Sequence, residues 1–438
     1  MKERLLSFKG GIHPDYCKEL TRNKEVIIAR VPQVAEIPLV QHIGAPATAI
    51  VKVGDHIKMG QKIGQANGMI SAHIHSSVSG KVLSIEPRAQ VGGIVPTVII
   101  ENDGEDELDE IIVGKSIEQL SSKQIIEIVQ EAGVVGMGGA TFPSHVKLCP
   151  PPDHKIDTVI VNGAECEPYL NSDYRLMTEQ PEMVLYGLKA VLKALNVERG
   201  YIGIEDNKPK AIKVLRDLCK NENSIEVEVL ETKYPQGGEK QLIKAVTGRE
   251  VPSKKLPSQI GCVIFNAGTT AAIARAVKTG LPLIERIVTI TGKGIKEPKN
   301  LLVRIGTTFK EVIEQCGGLK DGYAKVISGG PMMGIAQGSL DVAVIKGTSG
   351  ILALMKDEMT EVNPYPCIKC ARCVDVCPIG LLPIKIANAV QAGDLDTAMQ
   401  LNLMDCIECG SCSYTCPAKR PLLQYIRLGK SKVRSKQH

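Results

Sequence analysis

Aromatic residues are scarce in this chain of 438 residues, which has no Trp and only four Phe. Proteins that bind single-stranded nucleic acid use aromatic side chains to stack against bases, and no basic stretch here is interleaved with such side chains. The net charge of +5 therefore does not indicate a nucleic-acid-binding protein. We expect no nucleic-acid partner.

Long apolar segments are also missing. No uninterrupted apolar stretch approaches the roughly 18 to 20 residues that a membrane-spanning helix needs. The opening Met1-Lys2-Glu3-Arg4 lacks the apolar core of a signal peptide. We therefore expect a cytosolic protein, or one bound to the cytosolic face of a membrane protein.

Acidic residues are absent from the C-terminal segment. From Lys419 to His438 the charged residues are all basic, so segment 421–438 is predicted to be a basic tail. Such a tail could lie on anionic lipid or on an acidic partner, or it could be a frayed, solubilising end. By contrast, residues 101–110 form an acidic run. We interpret that run as a solvated domain boundary because like charges repel one another.

Cysteine is abundant, with 14 residues, and eight of them form two runs of identical spacing. Each run reads Cys-x2-Cys-x2-Cys-x3-Cys-Pro, which is the ligand pattern of bacterial ferredoxins. The runs are Cys367, Cys370, Cys373 and Cys377, and Cys406, Cys409, Cys412 and Cys416. The pattern predicts two [4Fe-4S] clusters, and therefore an electron-carrying protein.

The same pattern predicts which thiolates share a cluster. In two-cluster ferredoxins the first three cysteines of a run bind one cluster and the fourth binds the other. Cys416 is thus assigned to the cluster of the first run, and Cys377 to the cluster of the second run. Structural zinc sites favour separated Cys-x2-Cys pairs, and disulfides belong to secreted scaffolds. Neither alternative explains the repeated spacing.

Residues 39–86 alternate short apolar stretches with glycine turns such as Gly54-Asp55 and Met59-Gly60. This pattern predicts a small β-sandwich of hairpins. The segment resembles the biotinyl/lipoyl barrel-sandwich family. The hairpin that should present the modified lysine holds Asn67-Gly68-Met69 instead, so we expect a scaffold and not a swinging arm.

Predicted helices and buried strands alternate between residues 116 and 280. The strands are Asp157–Val161, Tyr201–Glu205, Ile225–Leu230 and Gly261–Phe265, and the helices are Lys123–Ala132, Pro181–Leu195, Pro209–Leu218, Glu239–Val246 and Thr269–Val277. The alternation indicates a doubly wound α/β domain with a largely parallel sheet. Ligands bind such sheets at the carboxyl ends of the strands.

Four polar or glycine-rich loops are expected at that edge of the sheet. They are residues 133–143, 162–168, 234–239 and 266–270. Glycines in the first loop allow the backbone to approach a flat ring or a phosphate, although each loop alone could be an ordinary turn or helix cap. Because clusters carry one electron at a time, a two-electron donor needs a converter, and flavin is the usual one. We therefore predict a flavin site here.

Three of these loops are similar to the NADH- and FMN-binding subunit of respiratory complex I. The similar segments are GMGGATFPSHVKL at 136–148, VNGAECEPYLNSD at 161–173, and the loop 234–239. The resemblance implies that FMN is surrounded by Gly136, Gly138, Gly139, Lys147, Asn162, Glu165, Tyr234, Gly237, Asn266 and Thr269. It also implies that Phe142, Glu167 and Glu239 face the nicotinamide nucleotide, and Gly238 completes the predicted cofactor-binding set.

The chain departs from the complex I pattern at four positions. Met137, Thr141, Ala164 and Cys166 stand where that family has Arg, Gly, Asp and Gly. The resemblance therefore specifies the FMN pocket better than the NADH pocket. The single-cluster motif that ends the complex I subunit is absent here.

A third module is predicted from strand Arg286–Thr291, helix Phe309–Gly317 and strand Tyr323–Ser328. This order resembles the soluble-ligand-binding β-grasp module, and a generic small α+β domain is the alternative. Between the two cysteine runs, residues 382–400 have helical periodicity with Gly393 as a break. That spacer favours a helical two-cluster ferredoxin.

The order of these parts, together with FKGGIHP at 8–14 and SGGPMMG at 328–334, resembles the RnfC family, the C subunits of Rnf complexes, over essentially the whole chain. The predicted fold class is multidomain α/β and α+β. The predicted domains are a lipoyl-like barrel-sandwich with an acidic linker at 1–115, an FMN/NADH-binding α/β domain at 116–283, a β-grasp module at 284–345, a two-cluster ferredoxin domain at 346–420 and the basic tail at 421–438.

The Rnf resemblance implies the NAD(H) module of a ferredoxin:NAD+ oxidoreductase that couples electron flow to Na+ or H+ transport. It implies FMN, NAD(H) and two [4Fe-4S] clusters as cofactors. The implied partners are NADH, ferredoxin-like and membrane subunits of the complex and, indirectly, ferredoxin. The implied location is peripheral, on the cytoplasmic side of the cell membrane. Ion transport itself is expected in other subunits.

No catalytic side chain is expected, because hydride transfer between two cofactors depends on positioning and needs no protein nucleophile. Two alternatives stay open at this point. One is a soluble relative with the same cofactors, such as a cobalamin reductase of a metabolosome. The other is a non-catalytic scaffold whose clusters only connect partner proteins.

Overall fold

The computed structural model of the chain describes residues 5–359 and 363–436. Its strands form four sheets of six, four, four and three strands. Within the described residues, no helix combines the length and the apolar character that crossing a bilayer requires. The multidomain α/β and α+β fold class that the sequence predicts is confirmed by this architecture.

The N-terminal part is a β-sandwich, as predicted. Its elements are α1 Glu19–Arg22, β1 Val26–Ile28, β2 Val34–Pro38, β3 Thr48–Ala49, β4 His56–Ile57, β5 Lys62–Gln65, β6 Ile74–His75, β7 Gly80–Gln90 and β8 Gly93–Asn102. The sheets are β2-β8-β7-β4 and β3-β5-β6. Apolar side chains from both sheets, such as Ile37, Ile63 and Val82, are fully buried between them.

The second part is the doubly wound α/β domain. Its elements are α2 Ser122–Glu131, α3 Ser144–Lys147, β9 Thr158–Asn162, α4 Ser172–Glu179, α5 Pro181–Leu195, β10 Arg199–Glu205, α6 Pro209–Cys219, β11 Ile225–Leu230, α7 Glu239–Thr247, β12 Cys262–Asn266 and α8 Ala267–Thr279. The sheet order is β11-β10-β9-β12, and every neighbouring pair is parallel. The carboxyl ends of its strands therefore lie at one edge, as the sequence predicts.

Local sequence explains where these helices begin and end. The Ser121 side chain accepts a hydrogen bond from the Gln124 amide in a capping box at the start of α2. Helix α8 begins with Asn266 as its N-cap and ends at Gly280, which has a φ of +76°. Helix α4 is absent from the sequence-based prediction, because its cap is the carboxylate of Glu165 in the preceding loop. Local start signals do not reveal a cap of that kind.

The third part contains β13 Glu285–Thr291, β14 Lys299–Arg304, α9 Phe309–Glu314, β15 Tyr323–Ser328, β16 Ile335–Gln337 and β17 Gly350–Met355. They form a mixed sheet in the order β1-β14-β13-β17-β15-β16. Two strands come from outside the predicted range of 284–345. Strand β1 belongs to the N-terminal segment, and β17 lies in the segment predicted to begin the ferredoxin domain. The structure thus places the end of this module after residue 345.

The ferredoxin part is helical, with α10 Arg372–Asp375, α11 Pro383–Gln391, α12 Leu395–Gln400, α13 Ser411–Tyr414 and α14 Leu422–Ser435. Gly393 separates α11 from α12 with a φ of +79°, so the predicted break in a helical spacer is present. In the described part of the chain, four short 3-10 helices occur, at Ile117–Gln119, Pro257–Ile260, Lys356–Glu358 and Leu403–Asp405.

The prediction that residues 421–438 form a tail is wrong for most of this segment. Residues 422–435 form α14, and its side chains Ile426 and Val433 are buried against the ferredoxin core. A Cβ atom on Gly429 would lie 2.5 Å from Val390 Cγ2, so this glycine allows α14 to approach α11 closely. The apolar residues of this segment have helical spacing. The prediction of a tail is based on its uniform positive charge instead.

Candidate cofactor sites

The glycine loop 133–143 connects α2 to α3. Gly136 donates its N–H to the carbonyl of Phe142 at 2.8 Å, which closes the loop. Met137 donates its N–H to Thr269 Oγ1 at 2.8 Å, which fixes the loop to the start of α8. Gly138 and Gly139 are exposed.

Gly138 approaches the Asn266 side chain so closely that only glycine fits. A Cβ atom there would lie 2.6 Å from Asn266 Nδ2. Asn266 itself accepts the N–H of Thr269 at 3.2 Å and donates to Asp173 Oδ2 at 2.6 Å. Within residues 5–359 and 363–436, the N–H groups of Gly138 and Gly139 have no acceptor. Exposed amides of this kind suit an electronegative ligand atom, so the loop fits a flavin nucleotide.

The loops at the ends of β9 and β11 also meet. Asn162, the last residue of β9, donates from Nδ2 to the Gly237 carbonyl at 2.8 Å. Gly237 donates its N–H to Cys166 Sγ at 3.3 Å, and Gly238 begins α7 as its N-cap. The predicted residues Asn162, Gly237 and Gly238 are thus brought together at one edge of the sheet.

Lys147 and Glu239 form an ion pair at this edge. The distance between Lys147 Nζ and Glu239 Oε1 is 2.7 Å, and their side chains are 31% and 40% exposed. Lys147 also donates to the carbonyl of Ile264, in strand β12, at 3.0 Å. Because the pair is partly exposed, both side chains can be reached by a ligand. The resemblance assigns Lys147 to FMN and Glu239 to the nicotinamide nucleotide.

The two other predicted carboxylates bind protein amides. Glu165 accepts the N–H groups of Asp173 at 2.7 Å and Tyr174 at 3.1 Å, and so caps α4. Glu167 accepts those of Met332 at 3.2 Å and Met333 at 2.8 Å. Glu167 thus joins the α/β domain to the loop between β15 and β16, and its role towards a nucleotide stays a prediction.

The carboxyl group of Glu167 gives a testable pH dependence. Burial raises its pKa to about 7, although the N–H groups of Met332 and Met333 lower it. Because the folded-state pKa lies above the ordinary value, its contribution to stability is complete at low pH and is lost as pH rises through about 7. Between about pH 5 and about pH 8, we expect the melting temperature of the Glu167→Gln variant to fall less than that of the wild type. The exposed Glu226→Gln variant is the control, and an identical pH dependence in both variants would contradict this expectation.

Tyr234 connects the α/β domain to the second cysteine run. Its side chain is 1% exposed, and its hydroxyl donates to the carbonyl of Cys409 at 2.8 Å. Ile12 and Tyr234 exchange backbone hydrogen bonds, and Gly11 donates its N–H to the Val376 carbonyl at 2.9 Å. The second run therefore contacts the α/β domain directly through Tyr234. Segment 10–12 links Tyr234 to Val376, which precedes the last cysteine of the first run.

Electrostatic interactions indicate which cysteine thiols are neighbours. Burial, and then the thiols of Cys406, Cys409 and Cys377, raise the pKa of Cys412 to about 12. For Cys373, burial raises the pKa first, and among the cysteines it is Cys416 and Cys367 that raise it further. Cys377 thus lies near the thiols of the second run, and Cys416 lies near Cys373 of the first. Which thiolates share each cluster stays a prediction.

Both runs also share one backbone conformation. The second and fourth residues after the first cysteine have positive φ: Lys369 and Ala371 in the first run, Glu408 and Gly410 in the second. The N–H groups of Lys369 and Glu408 point at Cys367 Sγ and Cys406 Sγ, each at 3.4 Å. Such contacts stabilise thiolates bound to iron. The two runs therefore fit the two predicted [4Fe-4S] clusters.

Sequence comparison places these sites in known domains. Residues 6–105 match the RnfC barrel sandwich hybrid domain, 129–275 the Nuo51 FMN-binding domain, 287–336 the SLBB domain and 366–419 a 4Fe-4S dicluster domain. The FMN-binding match and the dicluster match confirm the predictions of FMN and two [4Fe-4S] clusters.

The similarity to known proteins extends over nearly the whole chain. The chain is 50% identical over 434 residues to the C subunit of the proton-translocating ferredoxin:NAD(+) oxidoreductase complex of Clostridium ljungdahlii, covering 98% of this chain and 95% of the relative. The chain belongs to the RnfC family. The C subunit of the Na(+)-translocating ferredoxin:NAD(+) oxidoreductase complex of Acetobacterium woodii is 51% identical over 429 residues, with coverage of 98% and 97%. The C subunit of the ion-translocating oxidoreductase complex of Rhodobacter capsulatus is 44% identical over 436 residues, with coverage of 98% and 84%.

A solved structure from outside this family shares much of the fold. An NAD+-reducing [NiFe]-hydrogenase in the H2-reduced state is 17% identical, with a TM-score of 0.50. The similarity covers 72% of this chain and 63% of the hydrogenase chain. At this identity the likeness concerns the fold alone.

Sequence reasoning missed several residues that hold the site of this RnfC protein. Lys18 is buried and donates to the carbonyls of Glu165 and Glu167, each at 2.9 Å. Asp173, whose pKa burial and then Glu165 raise to about 7, holds Asn266. Arg286 contacts the glycine loop from another domain. No local pattern marks Lys18 or Arg286, and Asp173 ends the quoted segment 161–173 without being assigned a role. Each of the three acts through contacts distant in sequence.

Gly138→Val should weaken FMN binding, because the added side chain would collide with Asn266. We expect purified Gly138→Val to lose most of its FMN while keeping its iron. Gly338→Val is the matched control, since a Cβ atom there meets no atom within 4 Å. Absorbance of released flavin and an iron assay measure both contents. Wild-type flavin content in Gly138→Val would show that the loop is structural only.

Proposed function

We propose that this chain is the NAD(H)-handling subunit of a membrane-associated ferredoxin:NAD+ oxidoreductase of the Rnf type. The observation that carries this proposal is the hydrogen bond from Tyr234 to the Cys409 carbonyl. It joins a loop of the FMN-binding domain to a cluster-ligand loop within one chain. The second cysteine run therefore lies where it would receive electrons from a flavin bound to this domain.

A bound FMN would supply the conversion between two-electron transfer from NADH and one-electron transfer to the clusters. The chain's own residues supply the positioning on which hydride transfer depends. Gly138, Asn266 and Thr269 shape the flavin side of the site, and Lys147 adds a positive charge. Glu239 would contact the nicotinamide nucleotide. The resemblance assigns Phe142 and Glu167 to the same nucleotide. No side chain is required as a nucleophile or a base.

The order of the two cluster sites follows from their exposure. In the second run, which contacts the α/β domain, Cys409 and Cys412 are buried. In the first run, Cys367 and Cys370 are exposed. We therefore propose that the second run receives electrons from the flavin and that the first run passes them out of the chain.

The exit face, formed by the residues around Cys367, has the character of a protein-binding surface. Tyr365 and Ile368, which flank Cys367, are 66% and 67% exposed. Exposed aromatic and aliphatic side chains beside a redox centre suit a partner that must approach closely. The proposed partners are the ferredoxin-like and membrane subunits of the complex, with ferredoxin as an indirect partner. Peripheral attachment to the cytoplasmic side of the cell membrane would follow from these contacts, and the transported ion would be Na+ or H+.

The alternative of a soluble cobalamin reductase is not favoured. The relatives named above are complex subunits that match 98% of this chain, including the N-terminal barrel sandwich. The scaffold alternative requires a chain without flavin, and the match to an FMN-binding domain opposes it. Co-purification with membrane subunits distinguishes the proposed function from both alternatives.

The isolated subunit should oxidise NADH with an artificial acceptor such as ferricyanide. We expect Glu239→Gln to raise the KM for NADH by roughly tenfold, the loss expected when one hydrogen bond to a charged group is removed. FMN content should stay near wild type. Glu226→Gln, at an exposed position on β11, is the control. An unchanged KM for NADH in Glu239→Gln would show that this carboxylate does not bind the nucleotide.

A further inference from the structure

The glycine loop is held from behind by a buried arginine of the β-grasp module. Arg286 lies on β13 and is 4% exposed. Both of its terminal nitrogens contact the Met137 carbonyl at 3.4 Å, and Nη1 also donates to the Lys346 carbonyl. Asp173 lies near the guanidinium and partly compensates its charge. Residues from two domains thus share this contact.

A second buried basic side chain, that of Lys346, holds the beginning of the same loop. Lys346 is 1% exposed, and its Nζ donates to the carbonyls of Gly133 and His73, each at 2.7 Å. The amide of Lys346 donates to Gln41 Oε1 at 3.0 Å. Since Arg286 also binds the Lys346 carbonyl, the two side chains form one connected support. Two loop carbonyls, those of Gly133 and Met137, therefore accept hydrogen bonds from these side chains.

The orientation of one peptide group follows from this support. In a trans peptide, the carbonyl of one residue and the N–H of the next point in opposite directions. The Met137 carbonyl faces Arg286, so the N–H of Gly138 points away from Arg286. Gly138 is exposed, and its N–H has no acceptor in the part of the chain that the structure describes. The preceding N–H, that of Met137, is bound by Thr269.

We propose that Arg286 is a positioning residue that sets the Met137–Gly138 peptide so that the Gly138 N–H donates to an acceptor atom of bound FMN. This inference rests on the proposed function, since it requires flavin at the glycine loop. Without the arginine, the peptide can rotate, because glycine at position 138 leaves its backbone unusually free. Rotation would turn the Met137 carbonyl towards the ligand and replace a donor by an acceptor.

Titration of flavin-depleted protein with FMN tests the inference. Flavin fluorescence gives the dissociation constant, and mass spectrometry gives the amide exchange of a peptide that contains Gly138. We expect Arg286→Met to raise the dissociation constant at least tenfold, and to lose the slowing of exchange that FMN causes at this peptide. Arg286→Lys keeps the charge but not the planar fork, and it should show a smaller rise. Arg275→Met is the control, because Arg275 pairs with Glu285 and does not bind the loop.

The outcomes separate the inference from the proposed function. Failure of the wild-type protein to bind FMN would contradict both the inference and the proposed function. Wild-type binding together with an unchanged dissociation constant and unchanged exchange in Arg286→Met would overturn the inference alone. Iron content and the circular dichroism spectrum show whether Arg286→Met is folded. If it is not, Arg286→Lys decides by the same two readouts, with Arg275→Lys as its control.

Discussion

Cys377→Ala should remove the cluster of the second run and leave that of the first. We expect iron to fall from about eight to about four atoms per chain, because each four-iron cluster needs four thiolates. The thiol of Cys377 lies near those of Cys406, Cys409 and Cys412, although Cys377 belongs to the first run in sequence. The crossed assignment depends on this position.

Variants of both runs, with an unrelated cysteine as control, make the experiment decisive. Cys416→Ala should remove the first cluster, and Cys149→Ala, at an exposed cysteine outside both runs, should change neither. Iron analysis and electron paramagnetic resonance of anaerobic protein distinguish the two clusters. Loss of only the cluster of Cys367, Cys370 and Cys373 in the Cys377→Ala variant would show that the ligand assignment is wrong.

Cys370→Ser should separate NADH oxidation from electron transfer to the partner. Cys370 is an exposed cysteine of the first run, which is the proposed exit. We expect this variant to keep most of its NADH oxidation with ferricyanide, because the flavin site is distant in the proposed order. Reduction of the membrane partner should fall to background, since the exit cluster is damaged.

The matching variant in the second run is Cys412→Ser, at a buried cysteine. It should also retain NADH oxidation with ferricyanide and lose transfer to the partner. The two variants differ in the remaining cluster. In Cys370→Ser the second-run cluster should still be reduced by NADH, whereas in Cys412→Ser the first-run cluster should not. The reverse pattern would show that electrons from the flavin reach the first run before the second.

Local patterns in the sequence predict much of this fold. Helix Pro181–Leu195 and the strands Ile225–Leu230 and Tyr323–Ser328 are predicted with the bounds that the structure has, because their apolar periodicity and flanking residues are strong. The cluster ligands are also predictable, since their spacing is local and repeated. Prediction fails where distant segments decide the structure.

Strand pairing and domain packing are such cases. Strand β1 pairs with β14, so that Val26 lies opposite Asn300, and no pattern near residue 26 indicates this partner. The charge of helix α14 dominates its composition and suggests a tail, yet Lys430 is buried and donates to the Cys406 carbonyl at 2.8 Å. A buried cation is predictable only once its acceptor is known.

The flavin site also has parts that the sequence predicts and parts that it does not. The glycine loop and the strand-end loops are visible in sequence and meet at one edge of the sheet. Lys18 and Arg286, which hold backbone carbonyls of these loops from other parts of the chain, have no local signature. The residues expected to contact cofactors are thus easier to find than those that position them.

Anaerobic titration of the purified chain with NADH tests the central claim most directly. Flavin absorbance and the electron paramagnetic resonance of the clusters would be followed together, in protein with FMN and in protein depleted of it. We predict that NADH bleaches the flavin and reduces both clusters when FMN is present, and reduces neither cluster when FMN is removed. Cluster reduction by NADH in the depleted protein, or no flavin bleaching in the FMN-containing protein, would contradict the order NADH, FMN, clusters, partner.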